Sequence, residues 1–257
     1  MDIYQHFRKE EKEFIDKILD AVDRVSRNYE SKLFDFADPR EQDIAKSIVG
    51  SHEDVKLAFF GGNQSVERKR IYICPDFVEP SFEDFHVSVY QIHYPSKFAK
   101  LEHRQVMGTL LNMGITRGKF GDIIISDGEI YFVAAQEIDS YIENNISKMG
   151  KLGVTISKVK FANLPELNEE LVEINTTVSS LRLDVVLSAV SNWSRQNAQL
   201  KIKQGHAQVN YKTIESNDFE VKVSDLISVR GFGRMRILDI DGQTKKQKWR
   251  LRVGKNK

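Results

Sequence analysis

The sequence predicts an α+β chain in three parts, and three observations predict it. Apolar patterns of helical period alternate with short β-rich segments along the chain. Between residues 85 and 161 that alternation takes the order β-α-β-β-α-β. Charge is also divided unevenly: residues 180–257 hold sixteen Lys and Arg against seven Asp and Glu, net +9. Residues 1–179 hold 22 against 30, net −8, so the total of +1 conceals two opposite halves. A basic segment beside an acidic one points to a polyanionic partner for the basic part. The bland alternative is a Lys-rich surface that only aids solubility.

Residues 1–80 are expected to form a helix and hairpin region. Phe14, Ile15, Ile18, Leu19, Val22 and Val25 put one apolar face on a helix over 7–29. Asp38 caps a second helix, Pro39 takes its first position, and the helix runs to Val49 before Gly50. Residues 55–60 and 70–74 read as a hairpin whose connection begins Gly61-Gly62-Asn63.

Residues 81–162 are expected to form a ferredoxin-like (RRM-like) domain. Its parts are a strand over 85–94, a helix over 102–113 ended by Gly114, and strands over 122–126 and 129–134 around Asp127-Gly128. A helix over 136–149 and a strand over 154–161 complete it. RNA-recognition motifs share this topology, but stacking aromatics are not evident on the strands, so topology alone carries no inference of RNA binding. Residues 163–178, acidic and opened by a turn signal, read as a linker.

Residues 179–257 read as two short helices followed by a small basic set of strands. Ser180 is the expected cap of the first helix, which buries Leu183, Val186, Leu187 and Val190; Asp184 suits its positive end. Ser194 caps the second helix, behind a staple residue at Trp193; Ala198 and Ile202 face inward and Gly205 ends it. Arg195, Gln199 and Lys203 then fan across about 80° of its surface. Strands over 220–223 and 226–229 flank Ser224-Asp225, and strands over 234–240 and 248–253 flank Asp241-Gly242. The candidate RNA contacts are Arg182, Arg195, Gln199, Lys201, Lys203, His206 and Arg230. Leu183, Asp184, Ser194, Gly205, Asn210 and Asp225 are expected to shape the fold, with Asp184 also able to orient Arg182.

Several function classes are disfavoured. No apolar run is long enough to cross a membrane, and the first residues lack the basic start and apolar core of a secretory signal. A cytoplasmic location is expected. The single cysteine, Cys74, allows no internal disulfide and ends an apolar run, as a buried thiol would. The six histidines form no metal-binding pair, and no cofactor is expected. Gly118-Lys119 is followed by Phe120, not Ser or Thr, so a helix stop and turn is a better reading than a phosphate loop. Arg117 and Lys119 remain open to RNA contact.

Two resemblances follow. Arg182-Leu183-Asp184, Ser194-Arg195, Gly205 with Val209-Asn210, and Asp225-x-Ile227-x-Val229-Arg230 resemble the alpha-L RNA-binding domain, named after the fourth small-subunit ribosomal protein. The run from Gly114 through Arg117, Gly121 and Asp122 to Ile123 is similar to the G-x-x-R-x-x-x-G-D-I signature of the YlmH family. That second resemblance covers nearly the whole chain. It implies a non-enzymatic, ribosome-associated role like those of RqcP and the fifteen-kilodalton heat-shock protein, which bind large subunits that still hold peptidyl-tRNA after stalling. The implied partners are large-subunit ribosomal RNA, tRNA or peptidyl-tRNA, and ribosomal proteins or quality-control factors, with no membrane.

Other function classes stay open beside this one. Pseudouridine synthases carry the same RNA-binding domain and an R-L-D triplet. There, His precedes the triplet and Thr-Ser-Gly follows; here Leu181 precedes it and Val185-Val186-Leu187 follows. A ribosome-assembly factor, or an adaptor using the acidic N-terminal part, is the remaining alternative.

Overall fold

The computed structural model describes Phe7, residues 11–167 and residues 171–256. The chain divides into two compact units, residues 1–167 and 168–257.

The first unit stacks helices, sheet, sheet and helices. Helix α1 (Lys12–Asn28) and helix α2 (Pro39–Val49) cover one face of a three-stranded antiparallel sheet. Its strands are β1 (Lys32–Ala37), β2 (Val55–Phe60) and β3 (Lys69–Pro75), in the order β1-β3-β2. The start of α2 is a full capping box. Asp38 accepts from the Glu41 backbone N–H, and the Glu41 side chain accepts from that of Asp38. Ile15, Ile18, Val22, Ile44 and Ile48 pack on Ile71 and Ile73. The expected hairpin is therefore present, but β1 adds a strand that periodicity did not reveal. The expected first helix begins at Lys12; its part over residues 8–10 lies outside the described residues.

The next layer is a four-stranded antiparallel sheet. Its strands are β4 (Val87–His93), β5 (Phe120–Ser126), β6 (Glu129–Ala135) and, beyond a short hairpin, β9 (Thr155–Val159). The order β5-β6-β4-β9 is compatible with the expected split β-α-β-β-α-β unit. Helices α3 (His103–Asn112) and α4 (Asp139–Asn145) cover its outer face through Val106, Leu110 and Ile142. The helix expected over 136–149 stops early, because Ile146 is extended. Strands β7 (Lys148–Met149) and β8 (Leu152–Gly153) then pair around Gly150, whose φ of +60° suits glycine.

The two sheets meet face to face. Phe36, Phe60 and Val66 of the N-terminal region share a core with Val87, Val89, Tyr131 and Val133 of the four-stranded sheet. Much of the face on which an RNA-recognition motif would carry its stacking aromatics is thus buried under another sheet. Arg70, 3 % exposed, bolts the layers together. It donates to the Phe34 and His86 carbonyls at 2.9 and 3.1 Å and to both carboxylate oxygens of Glu137 at 2.9 and 3.0 Å. Lys119 joins from the side, 2.6 Å from Asp35 and 3.0 Å from Glu137.

The second unit is a six-stranded sheet under two helices. Strand β10 (Leu171–Val178) precedes α5 (Leu183–Ser191) and α6 (Arg195–Lys203). Then come β11 (Ala207–Val209), β12 (Lys212–Ile214), β13 (Leu226–Val229), β14 (Gly233–Gln243) and β15 (Trp249–Asn256). The sheet order is β10-β15-β14-β13-β11-β12.

Three expectations are corrected here. Residues 171–178, read as linker, form β10 and pair with β15 from Leu171↔Asn256 to Val178↔Trp249. Neighbouring acidic residues hid their β-branched content. The strand expected over 220–223 reduces to a single bridge between Glu220 and Arg182, because Ser224 at φ +73° and the Asp225 carboxylate fold that stretch into a turn. Asp241-Gly242 is not the last turn: Gly242, at φ +49°, lies in a register shift within β14, and the chain reverses at residues 244–248.

Two outcomes follow. A fragment of residues 168–257 should keep its edge strand, whereas residues 179–257 should unfold at a clearly lower urea concentration, read by circular dichroism. The second concerns Glu137. Burial pushes its carboxyl up, but the bonds from Arg70 and Lys119 outweigh burial and hold it at about 2. Its stabilising effect is therefore present above the ordinary glutamate range, near pH ~4.3, and is lost as pH falls toward 2. Glu137→Gln should cost about 1–2 kcal/mol at neutral pH, part of the interaction being screened by solvent. The melting-temperature gap from wild type should close as pH falls from about 4.5 to 2.

Candidate nucleic-acid interface

The C-terminal site is organised by one buried carboxylate. Residues 181–183 are held extended by backbone bonds: Leu183 N–H to the Phe219 carbonyl at 2.7 Å and Val221 N–H to the Leu181 carbonyl at 3.0 Å. Helix α5 therefore starts after Arg182, not at Ser180, whose hydroxyl instead accepts from the Arg182 N–H at 3.2 Å. Asp184 falls in the first turn of α5, with no exposed surface. Its position near the helix N-terminus favours a negative charge.

Three side chains satisfy that charge. Arg182 donates through Nε at 3.1 Å and Nη2 at 3.4 Å. Across the helix pair, Arg195 Nε donates at 3.1 Å and Gln199 Nε2 at 2.7 Å, both to Oδ2. Burial pushes the Asp184 carboxyl up; the bonds from Gln199, Arg182 and Arg195 reverse that and hold it below the usual range. Arg195 is present at this point because Ser194 caps α6 and accepts from the Asn197 N–H at 3.2 Å. The Arg182 and Arg195 side chains remain 36 % and 57 % exposed. Each uses part of its donor fork on Asp184 and turns the rest outward.

The other expected residues fall into separate places. Gln199 is half-buried, committed to Asp184, and Lys203 lies exposed one turn further along α6. Lys201 sits on the opposite flank of the Ala198–Ile202 stripe by helical geometry, apart from the Arg195–Gln199–Lys203 strip. His206 is half-buried, and its carbonyl accepts from the Arg230 N–H at 2.9 Å, so these two are neighbours; Arg230 is exposed. Leu183 is fully buried in the core. Gly205, at φ +69°, ends α6.

Asn210 and Asp225 form a second clasp, facing each other through Nδ2 and Oδ1 at 2.8 Å. Asn210 Oδ1 accepts from the Leu226 N–H at 2.9 Å, and Asp225 Oδ2 accepts from the Lys222 N–H at 2.7 Å. Sequence reasoning did not single out the ring cluster at this unit's edge. Trp193 meets Phe232 edge to face at 5.6 Å, and the Lys255 ammonium lies 4.4 Å from the Phe232 ring centre. An aromatic beside Gly231 and Gly233 was the available signal.

The signature over residues 114–123 builds the joint of the first unit. Arg117 donates to the Phe120 and Gly121 carbonyls and stacks 4.4 Å from the Phe120 ring centre. Burial lowers its pKa to about 10. A side chain at Gly121 would meet the Phe36 ring at 3.0 Å. Asp122 accepts from the Glu67 and Arg68 N–H groups at 2.6 and 3.0 Å. Lys119 is engaged with Asp35 and Glu137. Among the described residues no helix is long and apolar enough to cross a membrane, and no group of three or more His, Cys, Asp or Glu could hold a metal.

A basic terminal unit with paired arginines, attached to a two-sheet unit, defines a multidomain protein of the RNA-binding class. Three family models match in order: "YlmH, N-terminal" over residues 10–78, "Putative RNA-binding domain in YlmH" over 80–163, and "S4 domain" over 181–227. The chain is 39 % identical to "Ribosome-associated protein quality control protein P2" of Bacillus subtilis (strain 168), over all of this chain and 99 % of that one. The chain belongs to the YlmH family. A solved structure titled "Cell division protein ylmH from Streptococcus pneumoniae" is also similar, with TM-score 0.52 and 29 % identity over 62 % of this chain and 97 % of that one. The "S4 domain" match stops at residue 227, so β14 and β15 lie beyond it.

Asp184 is the residue on which this arrangement rests. Asp184→Ala strands two arginines and a glutamine, and should cost roughly 2–4 kcal/mol in urea unfolding of residues 168–257. Asp184→Asn, which keeps one acceptor oxygen, should lose less.

Proposed function

We propose that this chain is a non-catalytic, cytoplasmic RNA-binding protein that associates with the large ribosomal subunit and its tRNA. Its task is to stabilise peptidyl-tRNA on stalled subunits during ribosome-associated quality control. The observation that carries this reading is the Asp184 clasp, which holds two half-exposed guanidinium forks side by side within residues 180–257, a segment of net charge +9. Paired, pre-positioned forks suit phosphate oxygens, since their rotamer freedom is already spent in the free protein. The name of the Bacillus relative supports ribosome-associated quality control as the setting. Lys203, His206 and Arg230 extend the surface in this reading, Lys201 contributes from the far flank of α6, and Gln199 acts by steadying Asp184.

The synthase alternative loses ground on geometry. A catalytic aspartate must reach the base it attacks. Asp184 has no exposed surface, and its oxygens are taken by three side chains.

Arg195→Ala tests the reading. Asp184 keeps Arg182 and Gln199, and the Ser194 cap is untouched, so the variant should stay folded. Losing one charge-assisted contact should weaken ribosome binding by about ten- to a hundredfold, roughly 1.5–3 kcal/mol. The variant should leave the large-subunit fractions of a sucrose gradient. Cosedimentation of folded Arg195→Ala at wild-type levels across a salt series would count against the proposal.

A further inference from the structure

The first unit carries a cationic surface that its overall acidity conceals. Residues 94–104 and 147–160 together hold seven Lys and Arg and a single carboxylate, Glu102. The fold brings these two stretches to one end of the four-stranded sheet, where the Asp127-Gly128 turn with Asp127 and Glu129 also lies and Tyr94 donates to the Gly128 carbonyl at 3.4 Å. Strand β4 leaves the sheet at His93, which lies opposite Thr155, the first residue of β9. The loop into α3 therefore departs where the β7–β8 hairpin arrives. Leu101 of the loop and Met149 of the hairpin are buried in the same core. A side chain at Gly150 would meet the Gln105 amide of α3 at 2.9 Å. Lys97, Lys100, Lys148 and Lys151 are all exposed there, and no hydrogen bond or ion pair to a described residue engages them. Phe98 stands among the loop residues, 89 % exposed.

An unburied aromatic ring beside unpaired ammonium groups has a clear chemical complement. The ring offers a face on which an unstacked base can lie, and the lysines meet the flanking phosphates. Several other basic groups of this unit are differently placed. Lys17, Arg24, Arg27 and Lys46 are each paired with a carboxylate on their own helix, and much of the inner sheet face is buried.

We propose that the loop of residues 95–101 and the β7–β8 hairpin form a second RNA-binding surface, which takes single-stranded or looped RNA with Phe98 as its stacking platform. This deepens the proposed function and rests on it. The surface lies at the end of the domain, beyond the sheet face that the N-terminal region covers.

The test uses the full-length protein and purified large ribosomal subunits carrying peptidyl-tRNA. Three variants are compared: Phe98→Ala, the four-site Lys97, Lys100, Lys148 and Lys151→Gln, and a charge-matched control with Lys17, Arg24, Arg27 and Lys46→Gln. Ultraviolet crosslinks to RNA should map to peptides containing Phe98 or Lys148 and Lys151. Phe98→Ala should weaken binding roughly five- to a hundredfold. The four-site variant should bind at least tenfold more weakly and lower the salt slope by about 3, at 0.7–0.9 per lost phosphate contact. The control should match wild type. If Arg195→Ala weakens binding while both patch variants bind with wild-type affinity and slope, this surface is wrong and the C-terminal reading stands. Patch crosslinks to ribosomal protein alone would assign the surface to a protein partner and overturn the proposal. Absence of RNA crosslinks anywhere in wild type would overturn both readings.

Discussion

A carboxylate with no exposed surface sets the terms for the C-terminal unit. Burying an unpaired charge is costly enough that such groups either neutralise or gather donors. Asp184 gathers donors, and from both helices: Arg182 ahead of α5, Arg195 and Gln199 on α6. The demand of the buried group thereby fixes the spacing of the two helices' polar ends. It also fixes what those ends present to solvent. An arginine on an open helix face samples many rotamers, and a ligand must restrict them at an entropic cost. Here the restriction is already in place, imposed by a residue with no exposed surface. The carboxylate partly offsets the positive charge of the site, but it makes that charge directional.

The first unit is governed by a different constraint, the close approach of two sheets. Gly121 lies where a Cβ would strike Phe36, Arg117, Asp122 and Arg70 knit the surrounding backbone, and Lys119 bridges the Asp35 and Glu137 carboxylates. A signature that invites a phosphate-loop reading proves to be a packing device. Arg117 illustrates the difference. Its donors face main-chain carbonyls and burial lowers its pKa while leaving it charged at neutral pH, which suits a structural cross-brace. Stacking the sheets also removes much of the face that a domain of this topology would offer to bases, so surfaces on the rim gain importance.

What the sequence made legible follows from how local each signal is. Helix α2 was readable to the residue, because Asp38, Pro39 and Glu41 speak for its start within one turn. The hairpin around Asp127-Gly128 and the cap at Ser194 were equally local. Strand β1 was not: it is short, charged at Lys32 and Asp35, and its partner lies far along the chain, with Lys32 opposite Ile73. Strand β10 was obscured by acidic neighbours, although Ile174, Thr176 and Val178 alternate as a strand requires. For the site, the identities of Arg182, Asp184 and Arg195 were visible, but the bond from Gln199 to Asp184 was not. No pattern within α6 states what lies across from it. Lys201 shows the limit of counting cations, since helical phase puts it on the far flank.

Net charge misleads in the same way. Residues 1–179 sum to −8, a figure that argues against a polyanion partner for that part. The sum is nearly irrelevant at the length scale on which RNA is met, because screening in physiological salt confines each charge to roughly 8 Å. On α1, three cations are cancelled by carboxylates one turn away. Around Phe98 the lysines have no such partners among the described residues, so they are left available. Two modest RNA surfaces on one chain, as proposed, would also change what affinity means. Once either is engaged, the other binds at the effective concentration set by their tether, and the two affinities multiply when both can reach. An acidic unit bearing one cationic end is suited to that arrangement. On a unit whose net charge is negative, the lysines beside Phe98 would favour one orientation toward RNA over others.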